Sequence, residues 1–273
     1  MDYNKLFKTI LNVPINYKLN YINNINKLID KNKYVNFMKN KKVAVIGPSP
    51  SIRKIEDGEE IEKKFDVIVR INKGWKHETE MDKYIGKRTD VLYNCMDPSD
   101  ECGGIIDIDY LINNSTKFII DPIRCNFNDR THRDNMFHSE YRLNNLCFFH
   151  KYNNNRISFD FINDELYEYY DKSAQTRLNT GLLAIMHILS FDIKCLYIKG
   201  FTFFKDGYIS GYRDVLFGKK VTEKESTNRV LSVMKNAGNH DQDKQLEFLK
   251  KEYIKYKNKL IITPTLKKIL EIK

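Results

Sequence analysis

The polar residues best suited to bind a ligand form a turn in front of an apolar segment. Asn179, Thr180 and Gly181 precede residues 182–189, whose almost wholly apolar composition predicts a buried helix too short to span a membrane. The N-terminus of a helix presents backbone N–H groups and the positive end of the helix dipole, which together suit a bound anion. A purely structural capping role for Asn179 or Thr180 is the alternative.

Further polar residues follow four segments that are predicted to be buried strands. They are residues 47–51 (G-P-S-P-S) after strand 43–46, Asn72 after strand 66–71, Asn94 after strand 90–93, and Gly200 after strand 195–198. Ligands of open parallel sheets lie beyond these carboxyl ends. An asparagine side chain both donates and accepts hydrogen bonds, so the two asparagines favour a hydroxyl-rich or nucleoside ligand over a metal. The first loop lacks the second and third glycines of the dinucleotide fingerprint, which disfavours NAD.

His240 is the candidate for a general base. It lies in the sequence G-N-H-D, between a polar segment and a predicted amphipathic helix that carries Glu247. Histidine titrates near neutral pH and can accept a proton during catalysis; membership of a helix-capping polar cluster is the alternative interpretation. His187 lies inside the apolar helix and is predicted to be structural. The other histidines are predicted to lie on the surface or in a lid: His77, His132, His138 and His150.

Two pairs of aspartates have the D-x-D spacing that holds Mg²⁺ or Mn²⁺ on nucleotide-sugar pyrophosphates. Asp107 and Asp109 fall in a predicted helix, and Asp241 and Asp243 begin another, so neither pair follows a strand. We interpret both pairs as solvated helix faces and predict no metal site. The five cysteines show no metal-ligand spacing, and their odd number argues against a disulfide framework.

Strand and helix patterns alternate from residue 42 onward, which predicts a mainly parallel α/β sheet with right-handed connections. Other predicted strands are 117–120, 146–149 and 260–262, and predicted helices include 56–64, 105–112, 246–256 and 266–272. The expected architecture is a single Rossmann-like nucleotide-binding domain over residues 1–273. Residues 1–40 are a helical appendage, packed on the domain or acting as a surface anchor, and residues from about 202 to 240 are a mobile lid.

The net charge of +10 in 273 residues would suit an anionic partner. The basic residues are spread along the chain, so we predict no nucleic-acid-binding face, and only a weak attraction to phosphates or an anionic membrane. The sequence contains no signal peptide and no transmembrane run. We therefore expect a soluble cytoplasmic protein that contacts a membrane at most peripherally.

Several linked motifs resemble those of a known enzyme family. V-A-V-I-G-P-S-P-S-I, F-D-V-I-V-R-I-N and Y-I-G-K-R-T-D-V-L-Y-N resemble the first sialyl motif of sialyltransferases. R-L-N-T-G-L-L-A and L-Y-I-K-G-F resemble the second, and G-N-H-D resembles the C-terminal histidine motif. The likeness extends to both the small bacterial family and the animal-type family of sialyltransferases, and it covers roughly residues 42–100 and 175–265 in the same order.

The resemblance implies an inverting, metal-independent transferase with a GT-A-like variant of the Rossmann fold and no cofactor. Its expected donor is CMP-sialic acid, and its expected acceptor is an oligosaccharide or glycolipid of a surface glycan such as lipopolysaccharide or capsule. The family's self-association further implies a homo-oligomer. The catalytic positions that match are His240, the general base, and Arg177, which precedes the turn at the CMP. The matching donor-binding positions are Gly47, Ser49, Ser51, Asn72, Asn94, Asn179, Thr180, Gly181, Gly200, Phe201, and the lid tyrosines Tyr208 and Tyr212.

The sequence departs from the family pattern at three points. Pro48 stands where the family usually has asparagine, and Phe204 stands where a lid tyrosine is common. The second, phosphate-binding histidine of the animal enzymes has no clear match. Two alternatives therefore stay open: a transferase that uses another CMP-sugar such as Kdo, and a CMP-binding module that has lost catalysis.

Overall fold

The structure, a computed structural model, describes residues 2–122, 136–209 and 240–272. Between these ranges it describes only Tyr212, Val215–Leu216, Lys219–Lys220, Glu225, Asn228 and Ser232. Most of the predicted lid, together with His132, the side chain of His138 and Cys125, lies outside the described residues.

The core of the described structure is a seven-stranded, wholly parallel sheet with the strand order β5-β4-β3-β2-β1-β6-β9. Its strands are β1 (Lys42–Ile46), β2 (Val67–Ile71), β3 (Val91–Tyr93), β4 (Phe118–Asp121), β5 (Ser158–Phe161), β6 (Cys195–Lys199) and β9 (Leu260–Ile262). A separate antiparallel pair consists of β7 (Val215–Leu216) and β8 (Lys219–Lys220). The predicted α/β class with a mainly parallel sheet is confirmed.

The central strands form because their residues are apolar on both faces. In β1, Val43 and Val45 pack into the cluster on one face of the sheet, whereas Ala44 and Ile46 pack into the cluster on the other. Parallel sheets covered by helices on both sides require such continuous apolar runs. The predicted strands 43–46, 66–71, 90–93, 117–120, 195–198 and 260–262 therefore agree with the structure to within about two residues.

The helices in the described part of the chain cover the two faces of the sheet. They are α1 (Tyr3–Leu11), α2 (Ile15–Leu28), α3 (Lys31–Met38), α4 (Gly58–Lys64), α5 (Asp82–Ile85), α6 (Ile108–Asn113), α7 (Met136–Asn153), α8 (Asp164–Ala174), α9 (Thr180–Leu189), α10 (Gln242–Tyr256) and α11 (Pro264–Ile269). The N-terminal helices α1 and α2 pack against α7, and α3 buries Tyr34 and Met38 in the main core. No helix of the described residues is long and apolar enough to cross a membrane.

One predicted strand is wrong. Residues 146–149 (L-C-F-F) lie inside the helix α7, and the fifth strand of the sheet is instead Ser158–Phe161. A short apolar run cannot be assigned to a buried helix or to a strand by its periodicity alone. These four residues are all buried because α7 is enclosed between the sheet and the N-terminal helices. Strand β5 carries Asp160 among its four residues and gave little apolar signal.

Candidate active site

The main cavity opens at the carboxyl ends of β1 and β6 and has a volume of about 300 Å³. The chain runs from β1 outward to β5 on one side of the sheet and places β6 and β9 on the other, so this point is the topological switch of the sheet. Ligands of open α/β sheets bind at that position. The lining includes these residues from the sequence analysis: Ser49, Asn72, Arg177, Asn179, Thr180, Gly181, Gly200, Phe201, Tyr208, Tyr212 and His240.

The N-terminus of α9 forms one wall of the cavity. Asn179 caps the helix, because its Oδ1 accepts a hydrogen bond of 2.9 Å from the backbone N–H of Leu182. Thr180 and Gly181 precede the first hydrogen bonds of the helix and line the cavity with their backbone. A Cβ atom at Gly181 would lie 2.6 Å from the ring of Phe201, so the absence of a side chain lets that ring close over the turn. The helix end therefore presents both its N–H groups and its dipole to a ligand.

The loops after β1 and β6 approach each other too closely for side chains. A Cβ atom at Gly47 would lie 2.4 Å from the carbonyl oxygen of Gly200, which itself has a φ of +78°. The N–H of Ser49 donates to that same carbonyl oxygen at 3.1 Å. Gly47 thus holds the two loops together and does not line the main cavity.

Ser49 is part of a polar network with a partner from the segment after β6. Its Oγ lies 2.8 Å from the Oγ of Ser51 and donates to Asp206 at 3.1 Å, and Thr202 also donates to Asp206. Both serines are buried, but only Ser49 lines the cavity. The structure therefore brings only one of the two predicted serines to the site, and it adds Asp206 as the anchor of that serine.

The two strand-end asparagines have different positions. Asn72 lines the cavity, and its Oδ1 accepts a hydrogen bond of 3.0 Å from the backbone N–H of Cys95. Asn94 is fully buried and does not line the cavity. Its amide donates to the carbonyl of Cys102 at 3.2 Å and accepts from the N–H of Met96 at 2.7 Å. Asn94 thus shapes the loop after β3 instead of facing a ligand.

His240 is tied to the segment before α9. Its Nδ1 lies 2.9 Å from the carbonyl oxygen of Arg177. A carbonyl can only accept, so Nδ1 carries the hydrogen and Nε2 is the proton-accepting atom of the neutral ring. The N-cap of α10 is Asp241, whose backbone N–H donates to Thr176 at 3.1 Å. His240 thus lies next to the residue that caps α10, and the structure leaves open both the general base and the alternative of a helix-capping polar cluster.

The two predicted lid tyrosines are both at the cavity. Their rings stack at 5.1 Å with an interplanar angle of 12°, and the hydroxyl of Tyr212 donates to the carbonyl of Ile71 at 3.2 Å. Phe204 contacts the ring of Tyr208 edge-on at 5.0 Å. The phenylalanine in place of a lid tyrosine therefore packs beside the tyrosine pair.

Sequence reasoning missed two charged residues that line the cavity, Asp97 and Arg142. Arg142 of α7 lines the cavity, donates from Nη2 to both carboxylate oxygens of Asp121 at 2.9 and 3.0 Å, and donates from Nε to the carbonyl of Cys95 at 2.6 Å. The side chains of Arg142 and Asp121 are almost fully buried. The pair joins α7 to β4, and the sequence analysis assigned no helix at Arg142.

The remaining candidates have structural surroundings. Burial lowers the pKa of His187 to about 3, and its Nδ1 lies 2.9 Å from the hydroxyl of Tyr93, which confirms its structural role. Asp107 caps α6, and Asp109 pairs with Arg156 at 2.8 Å on an exposed helix face, as predicted. His77 was predicted to lie on the surface or in a lid, but its side chain is mostly buried and its Nε2 lies 3.0 Å from Asp82.

Two further groups differ from simple surface side chains. His150 was predicted to lie on the surface or in a lid, but it sits in α7, where burial lowers its pKa to about 4. A hydrogen bond with Cys102, together with burial, raises the pKa of Cys95, so this thiol stays protonated at the edge of the cavity. In the described part of the chain, no three His, Cys, Asp or Glu side chains are grouped to hold a metal ion.

Comparison with known proteins gives structural relatives only. No protein-family model matches the chain, and no curated protein sequence matches it. A tyrosine-to-phenylalanine variant of the sialyltransferase Cst-II in complex with CMP is similar, with a TM-score of 0.51 and 17% identity over 85% of this chain and 86% of that one; CstII comes from Campylobacter jejuni. A mammalian sialyltransferase in complex with Gal-β-1-3GalNAc-ortho-nitrophenol has a TM-score of 0.51 and 16% identity, covering 96% of this chain and 85% of that one. This chain has the fold of the sialyltransferases.

Proposed function

We propose that this protein is a sialyltransferase that transfers sialic acid from CMP-sialic acid to a hydroxyl group of an acceptor glycan. The observation that carries the proposal is that one cavity holds both the N-terminus of α9 and His240 with its Nδ1 fixed by Arg177. An anion-binding helix end and an oriented base are the two groups that such a transfer needs. Solved structures of the same fold have CMP bound in one case and Gal-β-1-3GalNAc-ortho-nitrophenol in another.

In the proposed mechanism, the N–H groups of Thr180 and Gly181 bind the phosphate of the donor, and Asn72 contacts its nucleoside. Nε2 of His240 takes the proton of the acceptor hydroxyl while that oxygen attacks the anomeric carbon. The bond from this carbon to the phosphate oxygen breaks, its electron pair leaves with CMP, and the configuration at carbon inverts. Tyr208 and Tyr212 donate to the leaving phosphate, for which Tyr212 exchanges its present bond to Ile71.

The proposed reaction needs no metal and no cofactor. CMP leaves with one phosphate and carries less charge than a nucleoside diphosphate, so hydroxyl groups and helix N–H groups can stabilise it. Pro48 is the feature that favours the second candidate, a CMP-binding module without catalysis. Its ring nitrogen donates no hydrogen bond, and its carbonyl accepts from the N–H of Ile209 at 2.8 Å.

The deciding experiment is the release of CMP from CMP-sialic acid in EDTA, with and without lactose-type acceptors. We expect release that is stimulated by the acceptor. CMP binding without release would support the non-catalytic module, whereas release from CMP-Kdo alone would support the other donor. Activity that EDTA abolishes would contradict the metal-independent mechanism.

We also propose that the N-terminal helices bring the protein to an anionic membrane surface, where a glycolipid acceptor lies. Tyr17 and Leu28 on α2 are 70% and 83% exposed, and the lysines of these helices add positive charge. Sedimentation with anionic and neutral vesicles tests this. The double variant Tyr17→Ser/Leu28→Ser is expected to lose binding to anionic vesicles.

A matched control for vesicle binding is Ile254→Ser, which removes a side chain that is 69% exposed on α10. Equal sedimentation of the parent and the double variant would rule out the N-terminal helices as the contact. We further propose that the protein is cytoplasmic and that it forms a homo-oligomer. Light scattering of the purified protein tests the oligomeric state.

A further inference from the structure

A second, smaller cavity lies beside the main one and has a volume of about 90 Å³. Pro48, Ile71 and Tyr212 line both cavities and form the wall between them. On the same measure a single water molecule needs about 10–15 Å³. The second cavity is therefore too small for a nucleotide but has room for one compact polar group.

The side chain of Arg70 faces this cavity from β2. It is 1% exposed, and its Nη2 donates to the carbonyl oxygens of Ile85 at 2.8 Å and Gly86 at 2.7 Å. Its Nε and Nη1 are buried and have no hydrogen-bond partner. Nε–H shares its edge of the guanidinium with Nη2, whereas Nη1 lies on the side of Cδ, so the two unpartnered nitrogens point in different directions and each can donate one hydrogen bond to an oxyanion.

Arg70 also lacks a carboxylate partner. No described carboxylate lies within ion-pair distance of its nitrogens. Of the nearest acids, Glu62 accepts from the N–H groups of Lys87 and Arg88 at 2.7 and 2.6 Å, and Asp82 bonds His77 at 3.0 Å. Burial lowers the pKa of Arg70 to about 10, so the group is still charged at neutral pH. A buried charge without a counter-ion is costly, and an anion in the cavity would remove that cost.

The rim of the cavity is positive as well. Arg53, Lys73 and Lys76 line it, and none of them forms an ion pair with a described carboxylate. The ammonium of Lys76 lies over the ring of Trp75, 4.6 Å from its centre. The only acidic side chain that lines this cavity is the exposed Glu78. Four cations and one carboxylate thus line this cavity.

We propose that this second cavity binds a small oxyanion, a phosphate or carboxylate group, through one of the two unpartnered nitrogens of Arg70 and the positive charges of the rim. The site is separate from the proposed donor site and does not depend on it. The anion is either a free inorganic ion or the acidic group of a larger molecule. Because Tyr212 forms the shared wall and bonds to Ile71, an anion at Arg70 would also fix one side of the main cavity.

The test is calorimetric titration of the full chain with inorganic phosphate and with acetate, at constant ionic strength. We expect saturable binding with one site per chain. Lys73→Gln and Arg53→Gln should each weaken it by roughly three- to tenfold, since each removes one rim charge. The matched control is Lys54→Gln, which removes an exposed lysine next to Arg53 that lines neither cavity and should leave the affinity unchanged.

Arg70→Met should abolish binding, and far-UV circular dichroism checks that this variant folds. If it does not fold, Lys73→Gln and Arg53→Gln, which keep Arg70, test the proposal. Binding of the sugar acid glucuronate at least as tight as that of acetate would identify the acidic group of a larger molecule. Binding of inorganic phosphate alone would identify a free ion. No saturable binding would overturn the proposal. Binding that CMP abolishes and that the Arg70, Lys73 and Arg53 variants leave unchanged would place the anion in the main cavity and would also overturn it.

Discussion

Replacing His240 by alanine is expected to lower turnover by about 10²–10⁴-fold, the usual contribution of a general base. Affinity for CMP should stay nearly unchanged, because the helix N-terminus that binds the phosphate is capped by Asn179 and not by His240. The measurements are the steady-state rate of acceptor-dependent CMP release and the dissociation constant of CMP by calorimetry. A large loss in rate with unchanged CMP binding separates catalysis from structure.

The control for this variant is His240→Gln. A glutamine amide can still donate to the carbonyl of Arg177, as Nδ1 of the histidine does now, but it cannot take up a proton. We expect His240→Gln to be as inactive as His240→Ala while melting at the temperature of the parent protein. If CMP affinity fell as far as turnover in both variants, His240 would be a structural residue and the proposed base would be wrong.

Arg142→Met is expected to destabilise the protein by about 3–5 kcal/mol, because it leaves the carboxylate of Asp121 buried without a partner. Urea unfolding followed by circular dichroism measures this loss. The variant should also weaken CMP binding, since Arg142 lines the main cavity and holds the carbonyl of Cys95 at 2.6 Å.

Two comparisons identify the cause of this effect. The double variant Arg142→Met/Asp121→Leu removes both charges and should recover most of the lost stability. Arg156→Met breaks the exposed pair with Asp109, where both side chains are more than 40% exposed, and should cost less than about 1 kcal/mol. If Arg142→Met and Arg156→Met lowered the free energy of unfolding equally, the buried pair would contribute no more to stability than the exposed pair.

The sequence predicts the sheet well where strands are mostly apolar. Strands β1, β2 and β6 are read correctly because parallel strands buried on both faces leave continuous runs of branched residues. The strand predicted at residues 146–149 is wrong, because a similar apolar run there belongs to the helix α7. Periodicity over four residues cannot separate these cases, and only the packing of α7 under the N-terminal helices explains why the run is apolar.

The position of the site was predictable, but the direction of its side chains was not. The carboxyl ends of parallel strands meet at one edge of a sheet, so the sequence alone groups Ser49, Asn72 and Gly200 at one site. Asn94 and Ser51 also follow strands, but the polar atoms of their side chains form hydrogen bonds within their own loops. Arg142 lies in α7 and Asp121 in β4, and no local sequence pattern predicts a contact between the two.

The binding site lies where Gly47 after β1 and Gly200 after β6 meet, so it requires that these two strands have paired. In the sheet, Lys42 is paired with Cys195 and Ile46 with Lys199, so the two central strands come from positions about 150 residues apart in the chain. Pairings of such large sequence separation form late, because the loop between them loses much conformational entropy when it closes. The binding site needs both strands, so it cannot form during synthesis before β6 has been made, and we expect it to form late in folding.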